Sequence, residues 1–326
     1  MPATDPRMTD PQSLRVGVAQ IAPVWLDRAA TLAKVAAWVE RAAAAGCGLV
    51  AFGEALVPGY PFWLEHLDGA RFDSAPLKAI HAHYLEQAVR IEAGHLDALC
   101  ATAARLRIAV VLGIIERPAD RGGHSVYCSA VHIGADGAIA SVHRKLTPTY
   151  EERLCWAPGD GHGLRVHAVG SFGVGSLNCY ENWMPLSRAA LYAQGEDLHV
   201  ALWPGNLRNT AGTSQFLARE GRSFLLAASG LLRREDVPTD SPAAAMLDTC
   251  PPVLGDGGSC IVGPDGEWIV DPVVAREELL VATLDARAVL RERQNFDPTG
   301  HYARPDVTRL VVDRTRQGVA SFIDPA

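Results

Sequence analysis

Strand-like and helix-like segments alternate along this chain, and the same order occurs roughly twice. Short apolar runs predict strands over residues 14–21, 48–52, 108–115, 169–177, 198–203 and 224–228. Apolar residues at helical spacing predict helices over residues 31–45, 86–106, 185–194 and 213–221. Hairpins follow over residues 126–142 and 259–270, with a last strand over 279–284. The order predicts two similar α/β halves, each with helices on one face of its sheet.

Periodicity alone leaves the arrangement of the sheets open. If they pack on each other, a four-layer α-β-β-α sandwich results, and the alternative is one continuous doubly wound sheet. No Gly- or Ser-rich linker separates the halves, so we predict a single domain over residues 13–312. A disordered, Pro-rich tail is predicted over residues 1–12 and a C-terminal tail over 313–326. The Pro-rich stretch over residues 233–258 is typical of a lid, an interface or partial disorder.

The composition argues against several classes of protein. Of the 326 residues, 48% are hydrophobic and 21% are charged, which is typical of a globular protein with a large core. The net charge of −7 argues against nucleic acid or an anionic membrane as a partner. The N-terminus lacks the pattern of a signal peptide, and the apolar runs are too short to span a membrane.

The cysteines and glycines give no sign of a disulfide framework or a cofactor. The seven cysteines are irregularly spaced and odd in number, which predicts free thiols in a reducing cytoplasm. There is no CxxC pair and no HExxH motif, so no metal is expected. The Gly-rich patch over residues 255–258 lacks the phosphate-loop pattern.

One cysteine stands where a predicted strand gives way to a predicted helix. Cys179 follows the apolar run that ends at Leu177, and Pro185 begins the helix. A thiol there lies at the C-terminal edge of the strand, near free backbone N–H groups. Both features favour the thiolate, which is the form that attacks carbon. The alternative is a buried apolar thiol, as expected for most of the other cysteines.

Two ionisable residues also stand at the ends of predicted strands. Glu54 ends the segment LVAFGE, where partial desolvation would raise the pKa of its carboxyl group toward that of a useful base. Lys145 ends the first hairpin, before a polar segment that could hold it inward beside a carboxylate. Each residue could instead be a solvated charge at a strand end.

Parallel strands would bring Glu54, Lys145 and Cys179 together, because ligands in α/β sheets bind outside the carboxyl ends of strands. The carboxylate can then take the thiol proton, and the thiolate can attack an sp or sp² carbon. The ammonium can stabilise negative charge that develops on nitrogen or oxygen.

Further segments, in a fixed order, resemble the nitrilase (carbon–nitrogen hydrolase) superfamily over about residues 16–312. They are VPGYPFW after the glutamate, RKL with PT and ER around the lysine, GDG at 159–161, NCYEN at 178–182, WPG at 203–205 and GHYARPD at 300–306. The PGYPFW and GHYARPD segments are most similar to those of true nitrilases. The resemblance implies the α-β-β-α sandwich fold.

The resemblance also implies roles for four residues. Cys179 is the expected nucleophile, Glu54 the general base, Lys145 the electrostatic stabiliser and Glu152 an additional carboxylate that orients the site. The expected reaction converts a nitrile, through a thioimidate and a thioester on the cysteine, to a carboxylic acid and ammonia. No metal or organic cofactor is needed.

Two positions depart from the family pattern. Tyr180 stands where the family usually has Trp directly after the nucleophile, which could alter the shape of the substrate pocket. Cys128 follows Tyr127 where nitrilases often have Asn.

Aromatic residues close to these segments are candidates for contacts with an aryl or arylaliphatic nitrile. They are Tyr60, Trp63, Tyr180, Trp183 and Trp203. The alternative is that several of them belong to the core, where aromatic side chains usually lie.

Other hypotheses about the function stay open at this point. The chain could be an aliphatic amidase, a carbamoylase or a cyanide-converting enzyme of the same superfamily, or a non-catalytic protein with the same fold. The resemblance further implies a homodimer or a larger homo-oligomer, with contacts through helices near residues 186–192 and 216–224.

Overall fold

The computed structural model describes residues 12–320 and residue 323, and these contain thirteen strands and eight α-helices. The strands are β1 (Ser13–Gln20), β2 (Leu49–Phe52), β3 (Ala109–Glu116), β4 (Tyr127–Ile133), β5 (Ile139–Arg144), β6 (His167–Val169), β7 (Phe172–Asn178), β8 (Leu198–Trp203), β9 (Phe224–Ser229), β10 (Leu231–Arg233), β11 (Val253–Val262), β12 (Trp268–Val274) and β13 (Glu278–Asp285). The helices are α1 (Arg28–Ala44), α2 (Trp63–His66), α3 (Ala75–Gln87), α4 (Asp97–Leu106), α5 (Pro185–Tyr192), α6 (Leu207–Thr210), α7 (Thr213–Gly221) and α8 (Ala286–Arg293).

The strands form two sheets that share one plan, with parallel strands at the centre and antiparallel strands at the edges. The first sheet has the order β13-β1-β2-β3-β4-β5, in which β1, β2 and β3 are parallel. The second has the order β10-β11-β9-β8-β7-β6, with β12 paired to β11 and with β7, β8 and β9 parallel. This recurrence confirms the two α/β halves that the sequence predicts.

Side chains alternate between layers along the central strands. In β2, Leu49 and Ala51 face the core between the two sheets, whereas Val50 and Phe52 face the layer that contains α1 and α4. Helix α7 covers the outer face of the second sheet, where Leu217 joins an apolar cluster with residues of β8, β9 and β11. The layers therefore run helix, sheet, sheet, helix, and the predicted α-β-β-α sandwich is confirmed.

The predicted helix over residues 86–106 is wrong in its first half. Helix α3 ends at Gln87, and Val89 instead forms an isolated bridge with Glu116 beside the first sheet. A short 3-10 turn follows, then Gly94 at a φ of 77°, and α4 begins at Asp97. Pairing with the end of β3 satisfies the backbone of Val89, and helical periodicity gives no sign of this long-range contact.

The Pro-rich stretch over residues 233–258 is more ordered than its composition indicates. It contains two 3-10 turns, Arg234–Asp236 and Ala244–Asp248, and the start of β11. Val237 and Met246 are buried in an aromatic cluster beside the α2 segment. The stretch therefore packs against the α2 segment at one end of the sandwich.

The chain ends are only partly described. The predicted disordered tail lies outside the described residues except for residue 12, and the domain limits at residues 13 and 312 stay predictions. In the chain after α8, Arg316 Nη1 and Gln317 N each donate a hydrogen bond to the carboxylate of Asp160, both at 3.0 Å. Among residues 12–320, no helix has both the length and the apolar character that a membrane span needs.

Candidate active site

Three strand ends carry the residues of the predicted triad. Glu54 lies two residues after β2, Lys145 directly follows β5, and Cys179 directly follows β7. Strands β2 and β7 belong to the parallel centres of different sheets, and Glu54 N donates a hydrogen bond to Trp203 O at 3.1 Å. The ends of the two sheets therefore meet at one edge of the sandwich, as expected for ligand sites in α/β folds.

The predicted catalytic side chains form one cluster. Lys145 Nζ donates to Glu54 Oε1 at 2.8 Å and to Glu152 Oε2 at 2.7 Å. One oxygen from each carboxylate and Sγ of Cys179 all lie within 4.8 Å of one another. Glu54, Lys145 and Glu152 are each at most 2% exposed. The structure thus brings together all four residues that the sequence analysis selected.

Tight turns hold the thiol and the second carboxylate in place. Cys179 has a φ of 48°, which is unusual for a residue other than glycine, and it begins the 3-10 turn that follows β7. Glu152 lies in another 3-10 turn, where its Oε2 accepts a hydrogen bond from Thr149 N at 2.6 Å. Both side chains are therefore fixed by the backbone on which they stand.

Burial and charge set the proton affinities of the cluster. Burial raises the pKa of Glu54 to about 7, with Lys145 opposing the shift and Glu152 adding to it. Burial also raises the pKa of the Cys179 thiol well above its usual value. Burial alone would lower the pKa of Lys145, but Glu54, Cys179 and Glu152 outweigh it and raise that pKa. Near pH 7 the cluster therefore pairs an ammonium and a thiol with the Glu54 carboxyl group, which can accept the thiol proton.

Two hydrogen bonds to the carboxylates of Glu54 and Glu152 were not predicted from the sequence. Tyr60 OH donates to Glu152 Oε1 at 2.9 Å, although the sequence suggested only a substrate contact for this tyrosine. Cys128 Sγ donates to Glu54 Oε1 at 3.2 Å. The first hairpin could have indicated this second contact, because its antiparallel pairing places Cys128 opposite Lys145.

A cavity of about 270 Å³ opens beside Cys179. Its lining includes four of the five predicted aromatic residues, Tyr60, Tyr180, Trp183 and Trp203. Cys179, Glu152 and Phe62 line it as well, together with side chains that the sequence did not indicate, among them Glu65, Glu151, Asn206, Arg208, Asn209 and Leu254. The walls of the cavity therefore combine aromatic side chains with charged and amide ones.

Trp63 does not line this cavity. It is only 2% exposed, and its ring centroid lies 4.7 Å from that of Tyr84 and 6.0 Å from that of Trp25. The structure therefore places Trp63 in a buried aromatic cluster under the site, which is the core alternative left open for the aromatic residues.

Glu54, Glu152 and Cys179 are also the types of residue that can ligate a metal ion. Here Lys145 Nζ already contacts both carboxylates, so the ammonium supplies the positive charge that a cation would bring. The expectation that the enzyme needs no metal stays a prediction.

Fold and site together define a class of protein. A thiol beside a carboxylate with a raised pKa and a buried ammonium, at the strand ends of an α-β-β-α sandwich, suits hydrolysis through a covalent cysteine intermediate. Residues 15–292 match the family model described as carbon–nitrogen hydrolase. The chain belongs to this family, and it is a carbon–nitrogen hydrolase.

Relatives with curated names indicate which members of the family this chain is similar to. It is 36% identical to "Nitrilase 2" from an unknown prokaryotic organism, over 95% of each chain. It is 37% identical to an aliphatic nitrilase from Sinorhizobium fredii, over 92% of this chain and 95% of that relative. A nitrilase from Pseudomonas syringae pv. syringae is also 37% identical, over 92% of this chain and 90% of the relative.

Solved structures share the fold at lower sequence identity. A carbon–nitrogen hydrolase from Helicobacter pylori G27 superposes with a TM-score of 0.67 at 19% identity, covering 90% of this chain and 96% of that one. An amidase from Nesterenkonia sp. gives a TM-score of 0.63 at 19% identity, with 88% and 96% covered. These likenesses support the fold alone.

Proposed function

We propose that this enzyme is a nitrilase that converts an aryl or arylaliphatic nitrile to the carboxylic acid and ammonia. The observation that carries the proposal is the cluster in which Lys145 Nζ lies 2.8 Å from Glu54 and 2.7 Å from Glu152, beside Sγ of Cys179. The three relatives named as nitrilases, at 36–37% identity over nearly the whole chain, support nitriles over amides.

In the first half of the proposed reaction, Glu54 accepts the proton of Cys179 and the thiolate adds to the nitrile carbon. A carboxyl group with a pKa of about 7 can take and return a proton near neutral pH. The ammonium of Lys145 stabilises the negative charge that develops on nitrogen. Protonated Glu54 then returns the proton to that nitrogen, which gives a neutral thioimidate.

In the second half, Glu54 accepts a proton from water, and the resulting hydroxide adds to the thioimidate carbon. Glu54 passes that proton to nitrogen, the proton of the new hydroxyl group follows as the carbonyl forms, the C–N bond breaks, and ammonia leaves a thioester on Cys179. A second water, activated in the same way, breaks the C–S bond, releases the acid and restores the thiol. If the tetrahedral intermediate expels the thiolate instead of ammonia, an amide forms as a by-product. Glu152 holds Lys145 in place throughout.

The cavity supports a compact aromatic substrate. At about 270 Å³ it lies just below the usual range for ligand pockets, about 300–1,000 Å³, which favours a small molecule. Tyr60, Tyr180, Trp183 and Trp203 provide aromatic faces beside the nucleophile. We assign substrate contacts to these four residues and a core role to Trp63.

A product panel tests the proposal. Benzonitrile, phenylacetonitrile, a short aliphatic nitrile, cyanide and the matching amides are supplied separately, and acid, amide and ammonia are measured. We expect acid and ammonia from the nitriles, with the aromatic ones preferred, and loss of all turnover in Cys179→Ala. Acid formed from the amides alone would indicate an amidase, and undiminished turnover by Cys179→Ala would remove the assigned nucleophile.

We further propose that the enzyme works as a cytoplasmic homodimer or larger homo-oligomer. Trp183, Leu186 and Phe216 are each at least half exposed around α5 and α7, which supports a covered apolar face in an assembly. All seven cysteines are free, which is compatible with a reducing compartment.

A further inference from the structure

Glu181 is a buried carboxylate near the nucleophile that the proposed reaction does not use. Its Oε1 accepts a hydrogen bond from Leu146 N at 2.6 Å, and its Oε2 accepts one from Asn178 N at 3.0 Å. His143 Nε2 lies 3.2 and 3.0 Å from the same two oxygens. The side chain of Glu181 is fully buried, so water does not compete for these contacts.

The two backbone donors flank two catalytic residues. Leu146 directly follows Lys145, the first residue after β5 in the first sheet, and Asn178, the last residue of β7 in the second sheet, directly precedes Cys179. A single carboxylate therefore ties the lysine segment of one sheet to the nucleophile segment of the other. Nothing in the covalent chain fixes this distance locally, because 33 residues lie between Lys145 and Cys179.

We propose that Glu181 is a positioning residue that holds Lys145 and Cys179 at their working separation across the two sheets. The proposal rests on the proposed function, in which the ammonium must lie beside the carbon–nitrogen bond attacked by the thiolate. A shift of about 1 Å between such groups can lower a rate by about 100-fold.

The hydrogen bonds also indicate how the charge is distributed. His143 Nε2 adds a side-chain partner to the two backbone N–H groups that contact Glu181. Glu181 is then an anion that receives three N–H donors. Burial alone would raise the pKa of Glu181, but His143 and the two backbone donors outweigh it and lower that pKa.

This geometry makes Glu181→Gln a specific test. A glutamine keeps the size of the side chain but has only one acceptor oxygen, so its NH₂ group must face the N–H of either Leu146 or Asn178. One of the two ties is then replaced by a repulsive contact. By contrast, His143→Gln removes a side-chain partner and leaves both backbone ties in place, which makes it the matched control.

The experiment compares wild type, Glu181→Gln, Glu181→Asp and His143→Gln on the best substrate of the panel, whether it is a nitrile or an amide. We expect kcat of Glu181→Gln to fall by about 10- to 100-fold with KM changed by less than about threefold. His143→Gln should lose less than about fivefold. Glu181→Asp keeps the charge but is one methylene shorter, so its kcat should lie between those of the other two variants. It replaces Glu181→Gln as the test variant if the glutamine variant does not fold.

Alkylation of Cys179 by iodoacetamide gives a readout that does not depend on turnover. The modified Cys179 peptide is quantified by mass spectrometry over time, with Cys179→Ala as the blank and thermal unfolding as a check on folded fraction. Loss of alignment with Lys145 should slow alkylation in folded Glu181→Gln. Unchanged kcat and unchanged alkylation in that variant would overturn the proposal, as would losses that only match a smaller folded fraction. The products that the wild-type enzyme forms from the nitriles and amides of the panel test the proposed function independently of these variants.

Discussion

Cys128 places a thiol against the carboxylate that we propose as the general base. Its Sγ donates to Glu54 Oε1, the same oxygen that accepts the hydrogen bond from Lys145. A donor to the ionised carboxylate favours that form, so it holds the pKa of Glu54 below the value that burial alone would give. Cys128, one of the two residues that depart from the family pattern, is therefore in contact with Glu54 of the predicted triad.

We expect Cys128→Ala to move the acid limb of the pH profile of kcat/KM upward by roughly half a pH unit. The base must be ionised to accept a proton, so activity is lost as pH falls through the pKa of Glu54. Removal of a donor raises that pKa, and activity is then lost at a higher pH. The measurement is kcat/KM between about pH 5 and 9 on the preferred substrate.

Cys47→Ala is the matched control, because Cys47 is also buried but precedes β2, at the opposite end of the strand from Glu54. Its acid limb should coincide with that of wild type. An unshifted limb in Cys128→Ala would mean that the thiol does not tune the base.

For single residues, the sequence was informative where the function of a side chain depends on its position along a strand. Glu54, Lys145 and Cys179 could be selected because each ends a predicted strand and parallel strands end together. Trp63 could not be separated from a pocket residue, because a core tryptophan and a ligand-binding one have the same composition and spacing. The role of Glu181 depends on a contact between two sheets, and no local pattern encodes such a contact.

Among the elements, β3 packs against the turn that carries the base with almost no space between them. A Cβ atom added at Gly113 would lie 2.1 Å from Gly53 O and 2.7 Å from Glu54 Cα. Both are backbone atoms, which cannot rotate away as the end of a flexible side chain can. The close approach of β3 thus fixes the position of Glu54.

We expect Gly113→Ala to displace the turn and to lower kcat/KM at least about tenfold. Overpacking of this kind should also lower the free energy of unfolding by about 1–3 kcal/mol. The measurements are steady-state kinetics and denaturant unfolding. Gly17→Ala in β1 is the control, because its added Cβ would meet only side-chain atoms, at 3.2 Å or more. Equal losses in the two variants would show that Gly113 has no special relation to the base.

Most of the strands could be predicted from the sequence, whereas several helices, including nearly all of α3, could not. The helix predicted over residues 86–106 fails where Val89 leaves the helical path to bridge with Glu116. Helix α8 follows β13 with no break, and its apolar residues are few, so helical spacing gave little signal there. A contact with a distant strand decides the conformation at Val89, whereas α8 begins at a local cap, where Asp285 Oδ1 accepts a hydrogen bond from Arg287 N at 3.0 Å.

For the whole molecule, the sequence indicated two α/β halves but not how they meet. Buried parallel strands such as β2 are apolar on both faces whether the second layer is a helix or another sheet. The choice between a sandwich and one continuous sheet therefore depended on the family resemblance, and the structure confirms the sandwich. The meeting of two sheets at one edge is also what brings Lys145 to Cys179.

The proposed assembly gives a prediction at the same scale. Leu186 on α5 and Phe216 on α7 are 69% and 59% exposed, and Phe216 and Trp183 line a shared surface cavity of about 360 Å³. Such an apolar face is expected to be covered by a second copy in a symmetric dimer. Trp183 also lines the cavity beside Cys179, so the proposed interface adjoins the site.

We expect wild type to have at least twice the mass of one chain in light scattering, and Leu186→Glu to shift it to the monomer because a charge would be buried at the interface. Leu290→Glu is the control, since Leu290 is equally exposed, at 69%, but stands on α8 and not on α5 or α7. It should leave the mass unchanged. Because Trp183 adjoins both the interface and the cavity, the Leu186→Glu monomer should also lose activity while remaining folded. A monomeric wild type, or an unchanged mass for Leu186→Glu, would contradict this interface.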